Sequence, residues 1–497
     1  MIAKLGNFSE LSKLASVKSR IGDDIFILFG MFHLSQTFRR LDMEKQCGHS
    51  ASELIQALCL FKVLGETIGS MWHHKFYDLL QVGKNCFYRM LTRSSMDWRH
   101  LLAAMVIHFL AILRSRKVDF YKGVTCFILD DTTAEKTTKK AEGVSRVFDH
   151  VVCKCVLGYK VQILCVSDGV TTIPVDFSIH REKGEKGDYG LTQKERRKQF
   201  HKKREAASPA AKRLKEAECN KLDVALEMIA RAWKLRIRPG YVLADSWYLS
   251  EKLLRGIIDI GKGALHFLGM AKMGNTTYKV EGRMKNAVEL IAKYERERGH
   301  ECRKYHCRYI TLNGEYARTG IAVRIFLVKY GRNTTWNIIV TTDMTMSFTR
   351  AFETYQVRWG IEVLIKDCRR NLGFGKCQSN DFDAQVADIT ITLMTYIVAA
   401  LDLRFSEYET MGQLFDSMAG ELKKLTLWNT ILECIEKILG NLIETLGLNI
   451  DDVVAGILRD NEAADETIFL AKALADYKRT NRSNYLTSVR HVLNAHG

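Results

Sequence analysis

YQVRWGIEVLIKDCR, residues 355–369, places a glutamate among cations with the spacing of a helix face. At about 100° per residue, five side chains of this stretch lie within about 80° of one another on an α-helix. They are Tyr355, Arg358, Glu362, Lys366 and Arg369. The apolar residues between them predict that the helix, over 349–371, packs on a core and that its polar face lines a cleft. A metal-binding carboxylate beside phosphate-binding cations is what cleavage of a nucleic acid backbone requires.

The composition of the whole chain fits a polyanionic partner. The 497 residues carry a net charge of +17, with a sequence pI near 9.2. Charge of this kind favours nucleic acid but does not separate DNA from RNA or an anionic membrane surface. The best apolar run, 389–401, is shorter than the roughly 20 residues of a membrane span. Thirteen cysteines without paired spacing favour reduced thiols. We therefore expect a cytoplasmic, nucleoid-associated protein that is not inserted in a membrane.

The apolar periodicity changes along the chain and predicts several domains. The expected order is a helical N-terminal domain over 1–115, a mixed core over 120–262 with a basic helical arm at 190–235, a β-rich insertion over 263–345, a last helical region of the core over 346–384, and a helical C-terminal domain over 385–497. Within the core, strand patterns on both sides of Asp168-Gly169 predict a hairpin in a set of three antiparallel strands.

Two basic segments are candidates for DNA contact. Residues 83–99 resemble a helix-turn-helix reader, with a glycine turn before a basic and aromatic helix. Residues 191–215 contain ten Lys or Arg against two Glu, which fits an arm that follows DNA phosphates. An ordinary helical bundle and a solvated or disordered face explain the two patterns equally well.

Three acids stand where a sheet and the late helix can bring them together. Asp131 ends the first predicted strand, Asp245 follows the short strand 241–244, and Glu362 lies on the helix. Each alone also fits a turn former or a surface residue. Asp130 and Asp131 lie on opposite faces of a strand, because successive side chains alternate. We favour Asp131 and keep Asp130 as the alternative. Two divalent metals about 3.5–4 Å apart bind such carboxylates in phosphoryl chemistry, and oxygen ligands favour Mg²⁺ or Mn²⁺.

Three motifs resemble those of the DDE transposases of bacterial insertion sequences, in the branch with the Tyr-Arg-Glu-Lys signature, the insertion sequence family four-like group. The motifs are Leu129–Thr133, Val242–Ser246 and Tyr355–Glu362. The resemblance extends over about residues 125–380, and the late motif is the most specific. It implies an α/β fold with an RNase H-like catalytic core, a β-rich insertion and helical flanking domains. It also implies an enzyme that cuts DNA at terminal inverted repeats and joins those ends to target DNA.

The resemblance also implies roles for single residues. Carried over by position, Asp131, Asp245 and Glu362 bind two Mg²⁺ or Mn²⁺ ions in each active site. The residues implied to hold phosphates near the scissile strand are Tyr355, Arg358 and Lys366. Arg369 departs from the pattern because the signature has lysine there. Arginine binds phosphate through a bidentate fork and lysine as a point charge, so we expect activity to survive with altered tuning.

Two tryptophans lie near these motifs in the sequence. Trp336, nineteen residues before Tyr355, occupies the position at which hairpin-forming relatives stack a flipped base. Packing within the sheet explains Trp336 equally well. Trp247, two residues beyond Asp245, is predicted to be a core residue.

The implied reaction predicts double-stranded DNA as the partner and a homodimer in the synaptic complex, because two element ends are cut in concert. Residues 422–448 offer an amphipathic surface for such pairing, although packing within one chain explains the same pattern. Two other functions fit the residues. One is a simple metal-dependent nuclease without strand transfer, and the other is a non-catalytic or domesticated DNA-binding protein.

Overall fold

The computed structural model describes residues 29–44, 48–70, 82–182, 184–274, 276–317, 319–331, 335–420 and 422. The chain divides into two compact units, and all helices and strands named below belong to the unit formed by residues 28–68 and 83–416. The other unit comprises 1–27, 69–82 and 417–497. Apart from residue 422, the pairing surface predicted at 422–448 lies outside the described residues.

The helices are α1 (Leu34–Arg40), α2 (Ala51–Leu64), α3 (Lys84–Leu91), α4 (Trp98–Ser115), α5 (Gln193–Arg196), α6 (Pro209–Glu216), α7 (Lys221–Lys234), α8 (Glu251–Gly261), α9 (Ala287–Arg298), α10 (Phe348–Gln356), α11 (Trp359–Asn371) and α12 (Phe382–Phe405). The strands are β1 (Cys126–Glu135), β2 (Ser145–Asp149), β3 (Lys154–Ser167), β4 (Thr172–His180), β5 (Tyr241–Ala244), β6 (His266–Ala271), β7 (Thr277–Val280), β8 (Arg283–Asn286), β9 (Gly299–Cys302), β10 (Cys307–Tyr316), β11 (Ile321–Tyr330) and β12 (Trp336–Thr341).

The described strands form one 12-stranded mixed sheet in the order β2-β3-β1-β5-β6-β12-β11-β10-β7-β8, with β4 paired to β3 and β9 to β10. β1, β5 and β6 run parallel, whereas β3 is antiparallel to β1 and to β4. The three predicted antiparallel strands are confirmed, as is the β3–β4 hairpin at Asp168-Gly169, where Gly169 has a φ of +83°. β6 lies within the predicted insertion, yet it pairs with β5 in the parallel part of the sheet.

The centre of the sheet places two acids side by side. Residues 126–129 of β1 and all of β5 are buried, as expected for apolar runs in parallel strands. In the parallel register Leu129 lies opposite Ala244. The next residues, Asp130 within β1 and Asp245 just after β5, therefore lie next to each other where the pairing of β1 with β5 ends. β1 itself continues to Glu135, so the prediction that Asp131 ends this strand is wrong.

The helix predicted over 349–371 is divided into α10 and α11 at residues 357–358. The Arg358 backbone N–H donates to the Tyr355 carbonyl at 3.0 Å, and the same three-residue spacing continues to Gly360. Bonds of this spacing wind the chain more tightly than an α-helix. Glu362 consequently lies in the first turn of a new helix.

α11 packs closely against the sheet. Its buried residues are Ile361, Leu364 and Cys368. A Cβ on Gly360 would lie 2.3 Å from Oγ1 of Thr172 on β4, so a side chain at this position would collide with the strand. The small residue allows α11 to bring Glu362 near Asp130 in the middle of β1 and near the end of β5.

α12 is the one described helix that is long and apolar enough to cross a membrane. In this fold, 83% of its apolar window is buried inside the protein. It packs against α2, α4 and β4. Such burial is typical of the core helix of a globular protein.

Candidate active site

Arg358 connects two of the predicted acids. Its Nη1 lies 3.2 Å from Oδ2 of Asp130, and its Nη2 lies 2.5 Å from Oε1 of Glu362. The side chains of Arg358 and Asp130 are only 17% and 21% exposed. Water therefore screens this pair weakly. One guanidinium holds carboxylates from β1 and α11 in a single site.

Asp245 joins the same site from the end of β5. One of its carboxylate oxygens, Oδ1, accepts a hydrogen bond of 2.9 Å from the Trp247 backbone N–H. Burial raises the pKa of Tyr355 to about 12, and the negative charge of Asp245 adds to the rise although Arg358 opposes it. The phenol of Tyr355 therefore lies within electrostatic reach of both Asp245 and Arg358.

The Asp130 carboxyl group is unusually difficult to ionise. Its pKa is raised to about 6, mainly by burial; the Asp131 backbone N–H and Arg358 oppose the rise, and the charges of Asp245 and Asp131 add to it. A second positive charge at this point would relieve the crowding of carboxylates.

The donor atoms of these three acids fit a hard divalent cation, because carboxylate oxygens are the ligands that Mg²⁺ and Mn²⁺ prefer. As the side chains stand, no three acidic, His or Cys residues in the described part of the chain are grouped as metal ligands. Instead, Arg358 donates hydrogen bonds to the carboxylates of Asp130 and Glu362, where a metal ion would bind. Asp130, Asp245 and Glu362 could hold a metal ion once Arg358 gives up at least one of its carboxylates.

Asp131 has different partners from Asp130. Its Oδ1 lies 3.1 Å from Nζ of Lys160, and its Oδ2 lies 2.5 Å from Nζ of Lys221. Burial favours a higher pKa for Asp131, but the two ammonium groups outweigh it and hold the pKa below its usual value. This arrangement departs from the preference for Asp131 and favours the alternative, Asp130, as the neighbour of Asp245 and Glu362.

Lys160 and Lys221 were not singled out from the sequence. A weak signal exists for Lys160, which lies between Tyr159 and Val161 in the mainly apolar strand β3 and is only 12% exposed in its side chain. Lys221 is the first residue of α7, and its link to Asp131 spans 90 residues. Local patterns do not report pairs of that separation.

The residues predicted to hold phosphates are placed differently from one another. The guanidinium carbon of Arg358 lies 5.7 Å from the centre of the Tyr355 ring. Lys366 is exposed one turn beyond Glu362. Arg369 donates through Nη2 to Oγ1 of Thr132 at 2.6 Å and to the carbonyl of Thr133 at 2.7 Å. Arg369 therefore anchors α11 to β1 in this conformation.

Trp336 fits the alternative of packing within the sheet rather than base stacking, and the prediction that Trp247 lies in the core is wrong. Trp336 is 8% exposed, with Nζ of Lys329 5.8 Å from its ring centre, so it is packed in the sheet. Trp247, predicted to be in the core, is 40% exposed, and Nζ of Lys221 lies 3.9 Å from the centre of its ring. Trp359 is 62% exposed immediately after Arg358.

The helix-turn-helix candidate turns part of its basic and aromatic surface inward. Trp98 is 4% exposed, and Arg99 pairs with Asp176 at 3.0 Å and Glu216 at 2.7 Å. On α3, Tyr88 and Arg89 are exposed. The candidate surface for DNA is therefore α3 rather than the start of α4.

The basic arm is likewise divided between core and surface. Arg204, only 3% exposed in its side chain, pairs with Glu142 at 2.6 Å and with Asp383 at 2.7 Å. Lys202 lies 2.9 Å from the same Asp383. The exposed cations of residues 191–215 are Lys194, Arg197, Lys198, Lys203, Lys212 and Lys215. Within this segment they are the candidates for contact with a DNA backbone.

Two family models match the chain. One, described as a DDE superfamily endonuclease, matches residues 81–262, and the other, described as a transposase DDE domain, matches residues 211–398. No curated protein matches it. Asp130 and Asp245 lie within the first match, and Asp245 and Glu362 within the second. Together the two matches indicate nuclease or transposase activity and support a DDE transposase.

Proposed function

We propose that this protein is a cut-and-paste transposase that binds the terminal inverted repeats of its element, cleaves the DNA there and transfers the freed strands to target DNA. The observation that carries the proposal is the bridge from Asp130 through Arg358 to Glu362, beside Asp245. The bridge joins Asp130, in the segment that matches the DDE superfamily endonuclease model, to Glu362, in the segment that matches the transposase DDE domain.

The three acids would hold two divalent metal ions, Mg²⁺ or Mn²⁺. Such ions supply Lewis-acid activation of a nucleophile and stabilise the leaving oxygen. In cleavage, water adds across a P–O3′ bond, the 3′ oxygen takes up a proton, and the other product keeps a 5′-phosphate. In transfer, the freed 3′-hydroxyl displaces a 3′ oxygen of the target strand, which takes up the proton. No bond energy is needed from a nucleotide cofactor, since one phosphodiester replaces another.

The protein's own residues would position the DNA strand. Arg358, once it gives up a carboxylate, has a planar fork suited to a phosphate near the acids. Tyr355 stays protonated because burial and Asp245 raise its pKa, so its hydroxyl can donate a hydrogen bond to phosphate. Exposed Lys366 would contact the backbone farther along α11.

The finer assignments are also proposals. The strand order β4-β3-β1-β5-β6, with the first three antiparallel and the last three parallel, supports an RNase H-like core. The spacing of Tyr355, Arg358 and Glu362 supports the Tyr-Arg-Glu-Lys branch. Synapsis of two ends would require a homodimer. Hairpin ends remain part of the proposed pathway, but Trp336 is assigned no base-stacking role because its ring is buried.

A cleavage assay with Glu362→Gln tests the proposal. DNA bearing the ends that flank the protein's own gene is incubated with Mg²⁺ or EDTA and run on a denaturing gel. The parent is expected to cut at the repeat boundary only with Mg²⁺. Glu362→Gln should bind the same DNA in a gel-shift assay but cut it about 10³-fold more slowly or not at all, because a metal ligand is lost. Glu297→Gln, an exposed acid on α9, is the matched control and should cut normally.

The products distinguish the alternative functions. Cleavage without joining to a target plasmid would identify a simple nuclease. Binding without cutting by the parent would identify a non-catalytic DNA-binding protein. A slowly migrating product on the denaturing gel would show the hairpin step.

A further inference from the structure

A second basic site lies outside the acids described above, in a cavity of about 190 Å³ between the start of α4, the start of α6 and α7. Among the residues that line it are Trp98, Arg99, Lys212, Arg213, Arg231 and Asp383. At about 30 Å³ for each water molecule, it has room for a tetrahedral oxyanion.

Arg213, one of the residues that line this cavity, has two donor atoms without a hydrogen-bond partner among the described residues. Its side chain is 7% exposed, and its Nη1 donates to the Phe177 carbonyl and lies 3.3 Å from Oε2 of Glu216. Nε and Nη2 are buried and have no hydrogen-bond partner in the described part of the chain. These two nitrogens form the parallel donor pair with which arginine binds carboxylate or phosphate.

Trp98, which also lines the cavity, has a third donor without a partner among the described residues. Nε1 of Trp98 is buried without a hydrogen-bond partner among the described residues, and Trp98 is 4% exposed. A buried donor without a partner is unfavourable, so such groups point to a water or ion. Arg213 and Trp98 come from different helices, yet both residues line one cavity.

The surrounding charges favour an anion over water. Arg99 and Arg231 have carboxylate oxygens at 2.7 Å and 2.8 Å, whereas the nearest carboxylate oxygen to Arg213 is at 3.3 Å. The pKa of Arg213 is lowered to about 10, first by burial and next by the charge of Arg99, although Glu216 and Asp176 oppose the fall. The two acids do not fully offset burial and the neighbouring cations, so this guanidinium gains from a bound negative charge.

The acids that line the cavity do not provide the negative charge for Arg213, because other donors already bind their oxygens. Asp383 accepts from Ser94 at 2.7 Å, from Lys202 at 2.9 Å and from Arg204 at 2.7 Å. Both oxygens of Asp97 are bonded to His100, at 3.1 Å and 2.6 Å. At the rim, Lys212 is exposed and adds positive charge.

We propose that this cavity is a phosphate-binding site, in which the Nε–Nη2 edge of Arg213 and Nε1 of Trp98 bind the oxygens of a phosphate group. The phosphate comes either from a DNA backbone that crosses this face, which rests on the proposed function, or from free inorganic phosphate. The site shares no residue with Asp130, Asp245, Glu362 or Arg358.

The test measures thermal stabilisation of the full-length protein by sodium phosphate against sodium chloride of equal ionic strength. Arg213→Lys keeps the charge next to Glu216 but loses the fork, and Trp98→Phe removes one donor and keeps most of the apolar surface. Each should raise the phosphate concentration for half-maximal stabilisation by about tenfold, as expected for the loss of a charge-assisted hydrogen bond. Lys122→Met, an exposed lysine outside the cavity, controls for general charge and should leave that concentration unchanged.

Equal phosphate stabilisation in the parent and all three variants would overturn the proposal, as would no stabilisation beyond that by chloride. Uncleaved duplex DNA then identifies the source. If the phosphate belongs to DNA, duplex abolishes the added effect of free phosphate, and Arg213→Lys binds duplex more weakly. If the site takes free phosphate, phosphate still stabilises the protein in the presence of duplex, and Arg213→Lys binds duplex as the parent does. None of these readouts depends on cleavage, so failure here leaves the transposase proposal to its own assay.

Discussion

Asp130 and Asp131 are consecutive on β1, yet Asp130 pairs with Arg358 from the late helical region and Asp131 with Lys160 and Lys221 from the core. Alternation along the strand separates them into a crowded acidic site and a compensated ion cluster. The two neighbours should therefore respond in opposite ways to the same substitution.

Asp131→Asn should destabilise the protein by about 3 kcal/mol, because it leaves two lysines with side chains only 12% and 21% exposed without their shared carboxylate. Asp130→Asn should leave the stability unchanged or raise it by about 1 kcal/mol, because it removes a buried charge from an acidic site. Urea unfolding at pH 8 in EDTA measures both. A larger loss in Asp130→Asn than in Asp131→Asn would contradict the two environments described.

His180 should make stability depend on pH. The residue is 4% exposed, and burial, with Lys221, lowers its pKa from 6.5 to about 4. The unfolded chain therefore takes up a proton below about pH 6.5 while the folded protein does not. The free energy of unfolding should fall by up to about 3 kcal/mol between pH 6.5 and pH 4 from this group alone, at about 1.4 kcal/mol per pH unit.

The His180→Gln variant isolates that contribution. Above pH 7 the difference in unfolding free energy between parent and variant should be constant, and below pH 6.5 it should shift in favour of the variant. Parallel pH profiles for the two proteins would show that His180 titrates alike in the folded and unfolded states.

Arg358 should compete with the metal ion for Asp130 and Glu362. Arg358→Gln removes a cation 3.2 Å from one acid and 2.5 Å from the other. Mn²⁺ should then stabilise the variant at a concentration about tenfold lower than the parent requires, while the cleavage rate falls because a phosphate-binding group is lost. Thermal unfolding with increasing Mn²⁺ gives the midpoint. A higher midpoint in the variant would mean that Arg358 supports metal binding instead of opposing it.

The two sets of cations in the basic arm should separate stability from DNA binding. Arg204→Met should cost about 3–5 kcal/mol of stability, because Glu142 and Asp383 lose a partner in the interior. Arg197→Met, at an exposed position of the same arm, should change stability by less than about 0.5 kcal/mol. It should weaken DNA binding and reduce the slope of log affinity against log salt by about one. Unchanged DNA binding in Arg197→Met would place the DNA elsewhere.

Local patterns in the sequence predicted much of the fold. The Asp-Gly turn marked the β3–β4 hairpin, and the apolar segment 241–244 marked a buried strand that ends at Asp245. Tyr355, Arg358 and Glu362 stay on one side of the chain despite the interruption at residues 357–358. The tightly wound turn still places Nη2 of Arg358 2.5 Å from Oε1 of Glu362. These features depend on residues a few positions apart.

Two features could not be predicted from the sequence. They are which of the neighbouring acids, Asp130 or Asp131, lies in the site, and which basic residues point into the core. Alternation says that Asp130 and Asp131 differ in face, but only the packing of α11 and α7 decides which acid meets which cation. A run of Lys and Arg looks solvated until its partners are known, and those of Arg204 lie 62 and 179 residues away. Burial of an ion pair is a property of the tertiary structure.

The cleavage activities of Asp130→Asn and Asp131→Asn test the proposed active site most directly. Each is measured per folded molecule on DNA with the element ends, in Mg²⁺ at a temperature where both variants are folded. Asp130→Asn should lose cutting by about 10³-fold or more, because a metal ligand is lost, and Asp131→Asn should stay within about tenfold of the parent. Full activity in Asp130→Asn, with loss in Asp131→Asn, would contradict the assignment and return the catalytic role to Asp131.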